Sequence, residues 1–146
     1  MSDAAAITIR PATTADAGRL AALLTDEGYV AGESDLAARV ERFSTPDSHV
    51  LAAEASGEVI GFVAFHLIPR FETDERFARV VALVVDPGVR ERGIGRRLMA
   101  EAERVARDDG AVFLEVTSGH HRPEARKLFE ALGYDPGLAV YLRKRP

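Results

Sequence analysis

The run from Val80 to Met99 restricts the fold of this chain more than any other stretch. Val80 to Val85 is uninterrupted and apolar, as a buried strand is, and Asp86-Pro87-Gly88 then breaks it. An Arg/Gly segment follows, Arg90-Glu91-Arg92-Gly93-Ile94-Gly95-Arg96-Arg97. Beyond it Ile94, Leu98, Ala102, Val105 and Ala106 recur at helical spacing. Gly93 and Gly95 lack a Cβ, so the backbone there can turn tightly and bring its N–H groups close to a ligand. The first N–H groups of a helix have no internal acceptor, and the helix dipole adds partial positive charge. Arg90, Arg92, Arg96 and Arg97 add formal charge at the same place. Strand, glycine turn and arginine-ringed helix start together predict a phosphate-binding site.

Two familiar phosphate loops fit poorly. A P-loop needs Gly-Lys-Ser/Thr, and the only lysines in the chain are Lys127 and Lys144. A dinucleotide fingerprint needs a third glycine where Leu98 stands, within an alternating strand–helix series. Here several predicted strands come before the loop with no helix between them.

Bulk properties exclude other classes. With 146 residues and 47% hydrophobic content the expectation is one packed domain spanning 1–146. A net charge of −4 offers no basic field for nucleic acid or an anionic membrane. Zero cysteines leave no disulfide, no thiolate nucleophile and no Cys-based zinc site. Residues 1–6 do not read as a signal peptide, and no apolar run is long enough to span a bilayer. A cytoplasmic protein is expected.

In order, Ile7–Pro11 reads as a short strand closed by proline. Thr13 or Thr14 can cap a helix with Asp16 in its first turn, Ala17, Leu20, Ala21 and Leu24 inward, and Gly28 at its end. A second helix fits Ser34–Phe43. His49–Ala55 and Val59–Ile68 form a hairpin around Ser56-Gly57-Glu58, and Phe77–Val85 follows a charged, exposed loop. Gly110 closes the long helix. Ala111–Thr117 is a buried strand, parallel to the one ending at Val85 because a helix joins them. Pro123 opens a helix that Gly133 ends, and Leu138–Arg143 reads as a last strand. Three consecutive antiparallel strands before the glycine turn argue for an α/β chain of α+β kind. Its sheet is mixed and mostly antiparallel, with helices on both faces.

Arg90-Glu91-Arg92-Gly93-Ile94-Gly95 resembles the Arg/Gln-x-x-Gly-x-Gly/Ala signature of the GNAT superfamily of acyl-CoA N-acyltransferases. The segment Arg122-Pro-Glu-Ala125-Arg-Lys-Leu-Phe129-Glu-Ala-Leu-Gly133-Tyr134 is similar to that family's Asn-x-x-Ala-x-x-Leu-Tyr-Glu-x-x-Gly-Phe segment. The element order resembles the GNAT fold along nearly the whole chain. More loosely, Thr117 to Ala125 resembles a branch that includes aminoglycoside-acetyltransferase-like members. The resemblance implies that the loop, with Arg90, Arg92, Gly93, Ile94, Gly95 and Arg96, binds the pyrophosphate of coenzyme A. It also implies two central parallel strands that splay apart, with the thioester of acetyl-CoA between them and its carbonyl facing an N–H of Leu83, Val84 or Val85. The connection between the first two helices would line the acceptor pocket, making Tyr29 either a substrate contact or an aromatic anchor on the core. Homodimers are common in the family.

Two departures bear on mechanism. Arg122 stands where many members have asparagine, and it either contacts cofactor phosphate or merely begins its helix. Phe129, beside the cofactor by resemblance, stands where many have the tyrosine that protonates the departing thiolate, and it has no proton to give. The strand Val80-Val81-Ala82-Leu83 lacks the carboxylate that often serves as base. Two candidates for that base remain. His66 is in phase with Ile60, Phe62 and Ala64, and is otherwise a core or rim histidine. Glu115 sits in an apolar strand, where a carboxylate must find a partner or titrate high. His120 and His121 could line the acceptor mouth; without Cys or a matching helical pair, metal binding is not expected.

Acyl transfer to an amine needs a neutral amine, although an alkylamine with a pKa of about 10.4 is mostly protonated near pH 7. It also needs a donor to the tetrahedral oxyanion, which backbone N–H groups can supply. The departing thiolate, with a pKa of about 8.5 by analogy with cysteine, needs little acid help. Without cysteine, transfer would be direct within a ternary complex. The expectation is an N-acetyltransferase moving an acetyl group from acetyl-CoA to a small-molecule primary amine, an amino sugar or polyamine. The alternatives are a non-catalytic acyl-CoA-binding module, or a protein N-terminal or lysine acetyltransferase.

Overall fold

Three successive antiparallel pairings build the sheet before the parallel crossover occurs. In a computed structural model, which describes residues 6–117 and 123–146 and their side chains apart from those at 90–92 and 123, strands β1 (Ile7–Pro11), β2 (Ser48–Ala55), β3 (Glu58–Pro69), β4 (Arg76–Val85) and β5 (Ala111–Val116) stand side by side in chain order. Neighbours β1 to β4 are antiparallel, and β5 runs parallel to β4. Helices α1 (Ala17–Asp26) and α2 (Glu33–Arg42) follow β1, α3 (Ile94–Asp108) joins β4 to β5, and α4 (Pro123–Ala131) comes last. The chain divides into two compact units, residues 1–116 and 117–146. No helix among the described residues is long and apolar enough to cross a membrane.

The larger unit has two apolar layers. Leu20 and Leu23 of α1 and Leu36 and Val40 of α2 pack with Ala52, Val59, Phe62 and Val84 of the sheet. On the opposite face Gly61, next to Phe62, admits α3. A Cβ at Gly61 would lie 3.0 Å from the Val84 carbonyl oxygen, 3.3 Å from Leu98 and 3.4 Å from Ile94. Alternation along a strand sends neighbours to opposite faces, so Phe62 meets α1 and α2 while Gly61 meets α3.

Between β3 and β4 the register slips: Ala64 faces Ala82, but Phe65 faces Val80, leaving Val81 bulged. The bulge reverses the phase of β4. Ala82 and Val84 share the α1/α2 face, and before the bulge Arg79 takes that face, opposite His66.

Asp16 anchors the start of α1. Arg10 donates to both of its carboxylate oxygens, at 2.8 and 2.9 Å, and the Thr13 amide donates at 2.8 Å. Asp16 is buried. The Arg10 hydrogen bonds hold its carboxyl below the usual range against the opposing effect of burial, and the Thr13 amide adds to them. A carboxyl whose pKa is lowered by folding stabilises the protein above its unfolded value, and that contribution is lost as pH falls through the folded value. Asp16→Ala is therefore expected to cost about 2 kcal/mol at pH 7. In urea unfolding, the gap between variant and parent should shrink once pH drops below about 4. A gap independent of pH would mean that the carboxylate charge is not what stabilises this corner.

The predicted strand Leu138–Arg143 does not form. Residues 138–146 carry no regular structure, and Leu138, Val140, Tyr141 and Leu142 are exposed. Consequently β5 is the outermost strand of the sheet among the described residues rather than a central one. Alternating side chains supply only half of what a strand needs; the other half is a backbone ladder to pair with. In the smaller unit Phe129 is buried and meets the Tyr134 ring edge-on at 5.9 Å.

Candidate active site

The parallel pair β4–β5 keeps register only as far as Val80 opposite Val116, whereas β4 runs on beside β3 to Val85. Leu83, Val84 and Val85 lie beyond the last registered pair, where β5 has ended. Val84 is buried, Leu83 and Val85 are half-buried, and Val81 is 47% exposed.

Asp86 ends β4 and organises the turn. Its amide donates to the Ile60 carbonyl (2.8 Å) and its carbonyl accepts from the Val89 amide (3.0 Å). One carboxylate oxygen accepts from the Gly88 amide (2.9 Å) and the other from Arg19 of α1 (3.0 Å). Residues Pro87–Arg92 form an irregular 3₁₀ stretch broken at Val89 (φ −133°). Gly93 caps α3 with φ 74°, a left-handed conformation that costs a non-glycine residue about 1–2 kcal/mol. The Arg97 amide is the first to close the helical ladder, onto the Gly93 carbonyl at 3.1 Å. The amides of Ile94, Gly95 and Arg96 therefore lie ahead of that ladder. Ile94 and Gly95 are buried, while Arg96 and Arg97 are exposed. Arg97 donates to the Ile7 carbonyl (3.0 Å), which ties α3 to β1.

On the α1/α2 face, Arg79 binds Glu115 across the parallel pair, one residue before its last registered positions. Arg79 Nε donates to Glu115 Oε1 at 2.8 Å, and Nη2 donates to the same oxygen. His66, opposite Arg79 in the ladder, shares a hydrogen bond with Ser48 Oγ through Nδ1 (2.9 Å) and lies against the Phe43 ring in a tilted pair (4.7 Å). The Arg79 guanidinium also lies 5.6 Å from the Phe77 ring, which stacks on Phe113 at 5.1 Å. Glu115 and His66 thus reach one face of the sheet by way of the Val81 bulge. Tyr29, at the start of the α1–α2 connection, is 53% exposed rather than buried as a core anchor.

A strand that outruns its parallel partner, followed by a glycine-capped helix start whose leading amides lie ahead of the helical ladder, suits binding of an anionic group and addition at an adjacent carbonyl. Comparison with known proteins agrees. The acetyltransferase (GNAT) family profile matches residues 18–134. The chain belongs to the GNAT family of acetyltransferases. It is 35% identical to the uncharacterised N-acetyltransferase YhfO of Bacillus subtilis, over 94% of this chain and 97% of that one. It is 30% identical to the aminoalkylphosphonate N-acetyltransferase of Salmonella typhimurium, over 86% and 83%. It is 31% identical to the N-alpha-acetyltransferase RimI of Mycobacterium tuberculosis, over 99% and 86%. Among solved structures, the aminoglycoside N-acetyltransferase AAC(6')-Iy in complex with CoA superposes with a TM-score of 0.81 at 19% identity, over 97% of each chain. The protein is accordingly an enzyme of N-acetyl transfer.

Within the GNAT frame, the structure brings Gly93, Ile94, Gly95 and Arg96 to the start of α3 and Leu83–Val85 to the end of β4 that runs past β5. The side chains of Arg90 and Arg92 lie outside the described set, as do residues His120, His121 and Arg122. Sequence reasoning missed Arg79, Arg19 and Asp86. Arg79 and Glu115 are far apart in the chain, and no local pattern announces the bulge that aligns them. The Asp-Pro-Gly break does mark Asp86, as a strand stop and not as the acceptor for Arg19.

Proposed function

We propose that this enzyme moves an acetyl group from acetyl-CoA to the primary amine of a small molecule, directly within a ternary complex, and that residues 1–146 form one acetyltransferase domain. The observation that carries the reading is the junction where β4 outruns β5 and Gly93 turns the chain into α3. The residues there fit a diphosphate: leading helix amides, a cap without a side chain and the exposed Arg96. Bound acetyl-CoA would supply an activated thioester acyl group. The amides of Ile94, Gly95 and Arg96 and the Arg96 guanidinium would hold its diphosphate, together with Arg90 and Arg92; the family resemblance alone adds Arg122 and Phe129 as cofactor contacts. An N–H of Leu83, Val84 or Val85 would orient the acyl carbonyl and stabilise negative charge on its oxygen. Glu115 or His66 would take the amine proton, and Tyr29 and His120 would contact the acceptor.

Absence of cysteine from the chain supports direct transfer. The match of the family profile across both compact units supports a single domain. The aminoalkylphosphonate N-acetyltransferase relative and the aminoglycoside N-acetyltransferase fold neighbour support a small amine, with amino sugars and polyamines as the class. A cytoplasmic homodimer that needs no metal completes the proposal. A second reading, acetylation of protein N-termini, is supported by the RimI relative. Free-thiol release from acetyl-CoA, followed across amino sugars, polyamines, aminophosphonates and peptides with free N-termini, separates the two. Turnover on small amines is expected; turnover confined to peptides replaces this reading with the second.

A further inference from the structure

We propose that Arg19 is a positioning residue for the cofactor turn, acting through Asp86, so that helix α1 sets where the leading amides of α3 stand. The inference rests on the cofactor reading above. Arg19 lies on α1, well removed in sequence from the turn. Its Nε donates to the Val59 carbonyl at the start of β3 (2.9 Å) and its Nη2 to Asp86 Oδ2 (3.0 Å). Glu58 stands 4.0 Å from the same Nη2, so the guanidinium is flanked by two carboxylates. Side chains of both Arg19 and Asp86 are only about one-third exposed or less, at 33% and 27%.

Asp86 is engaged on every side. Its amide and carbonyl are bonded to Ile60 and Val89, and its other carboxylate oxygen holds the Gly88 amide. Beyond these bonds the 3₁₀ stretch is irregular, with Val89 off the helical conformation and Gly93 turned left-handed. A turn of that kind is not self-supporting, so its place depends on the carboxylate at its root. Arg19 fixes that carboxylate by a charge-assisted bond while its second donor is anchored to β3 backbone, which leaves the guanidinium plane little freedom. An ordinary half-exposed ion pair contributes little to global stability. Displacement of a binding group by an ångström can nonetheless cost much of its function. Arg19 should therefore matter more to cofactor affinity than to folding.

The test is calorimetric titration with coenzyme A, which needs no acceptor, alongside thermal melting. Arg19→Ala is expected to weaken CoA binding about tenfold, the equivalent of one charge-assisted hydrogen bond, with the melting temperature nearly unchanged. Arg19→Lys keeps the charge without the fork and should recover part of the loss. Asp86→Ala should weaken CoA comparably, and adding Arg19→Ala to it should cost little more, since the one acts through the other. Independent, multiplying effects of the two substitutions would overturn the inference, as would unchanged CoA affinity in Arg19→Ala. A melting temperature that falls in proportion to the lost affinity would reduce Arg19 to a structural residue and overturn it too. Charge reversal at the exposed Arg96 serves as the reference. If Arg96→Glu weakens CoA while Arg19→Ala does not, only the Arg19 inference fails; if neither does, the placement of the cofactor fails with it.

Discussion

Gly95→Trp is expected to lower affinity for coenzyme A at least about 100-fold. Two of the leading amides of α3, offered to a diphosphate, would form charge-assisted hydrogen bonds of about 1.5–3 kcal/mol each, and losing both corresponds to at least that factor. Gly95 is buried in the first turn of α3, directly after Ile94. An indole there must either cover the amides or push the turn away from them. Because the position is buried, the same substitution will also lower the melting temperature, so a second variant separates folding from binding. Arg96 is exposed, and Arg96→Glu should leave the melt in place while weakening CoA about tenfold. That loss should shrink at high salt, as screened interactions do. Calorimetry at two ionic strengths reads both variants. Unchanged affinity in both would move the diphosphate elsewhere.

Glu115→Gln is expected to lower kcat about 100-fold near pH 7, within the range of general-base catalysis. An amine acceptor with a pKa of about 10.4 is neutral in only about one molecule in 2,500 at that pH, so a proton acceptor near the end of the β4–β5 pair has a large effect available to it. Glu115 stands one residue before the last registered position of β5, and Arg79 occupies one carboxylate oxygen, Oε1. The amide of glutamine can keep an Arg79 contact through its oxygen while losing the capacity to take a proton. The rate deficit should therefore narrow as pH rises toward the amine's own pKa. His66→Asn is the companion, since His66 shares the same face and already spends Nδ1 on Ser48. A pH–rate profile identical to the parent's removes whichever residue was changed from the reaction. If Glu115 is the one removed, its bond with Arg79 remains as a tie between β4 and β5.

Local chemistry was readable along most of the chain. Val80–Val85 reads as an apolar strand, and Asp86-Pro87-Gly88 stops it. Helical spacing from Ile94 onward set α3, which the structure bounds at Ile94–Asp108. Ser56-Gly57 closed the β2–β3 hairpin, and Gly28 and Gly110 lie just past the ends of their helices with positive φ. Each of these signals needs only a few neighbouring residues, because propensity, capping and side-chain period act over one or two turns. The Arg/Gly loop belonged to the same class, so the proposed anion site could be placed on the chain before any packing was known.

What the amino-acid order settled alone was therefore most of the inventory: which segments become strands and helices, Leu138–Arg143 excepted, and where an anionic group is proposed to be held. Tertiary structure decided what the inventory does together. The Val81 bulge put Arg79 on the face it shares with His66 and Glu115, and a single skipped residue in a ladder leaves no mark in composition or periodicity. Arg19 meets Asp86 only because α1 lies across the start of β3. Leu138–Arg143 has the alternation of a strand and stays unpaired, because a ladder requires a second backbone at the right place and register. Local preferences are set by near neighbours along the chain; pairings between distant segments are set by closure of the whole sheet, and only folding supplies that.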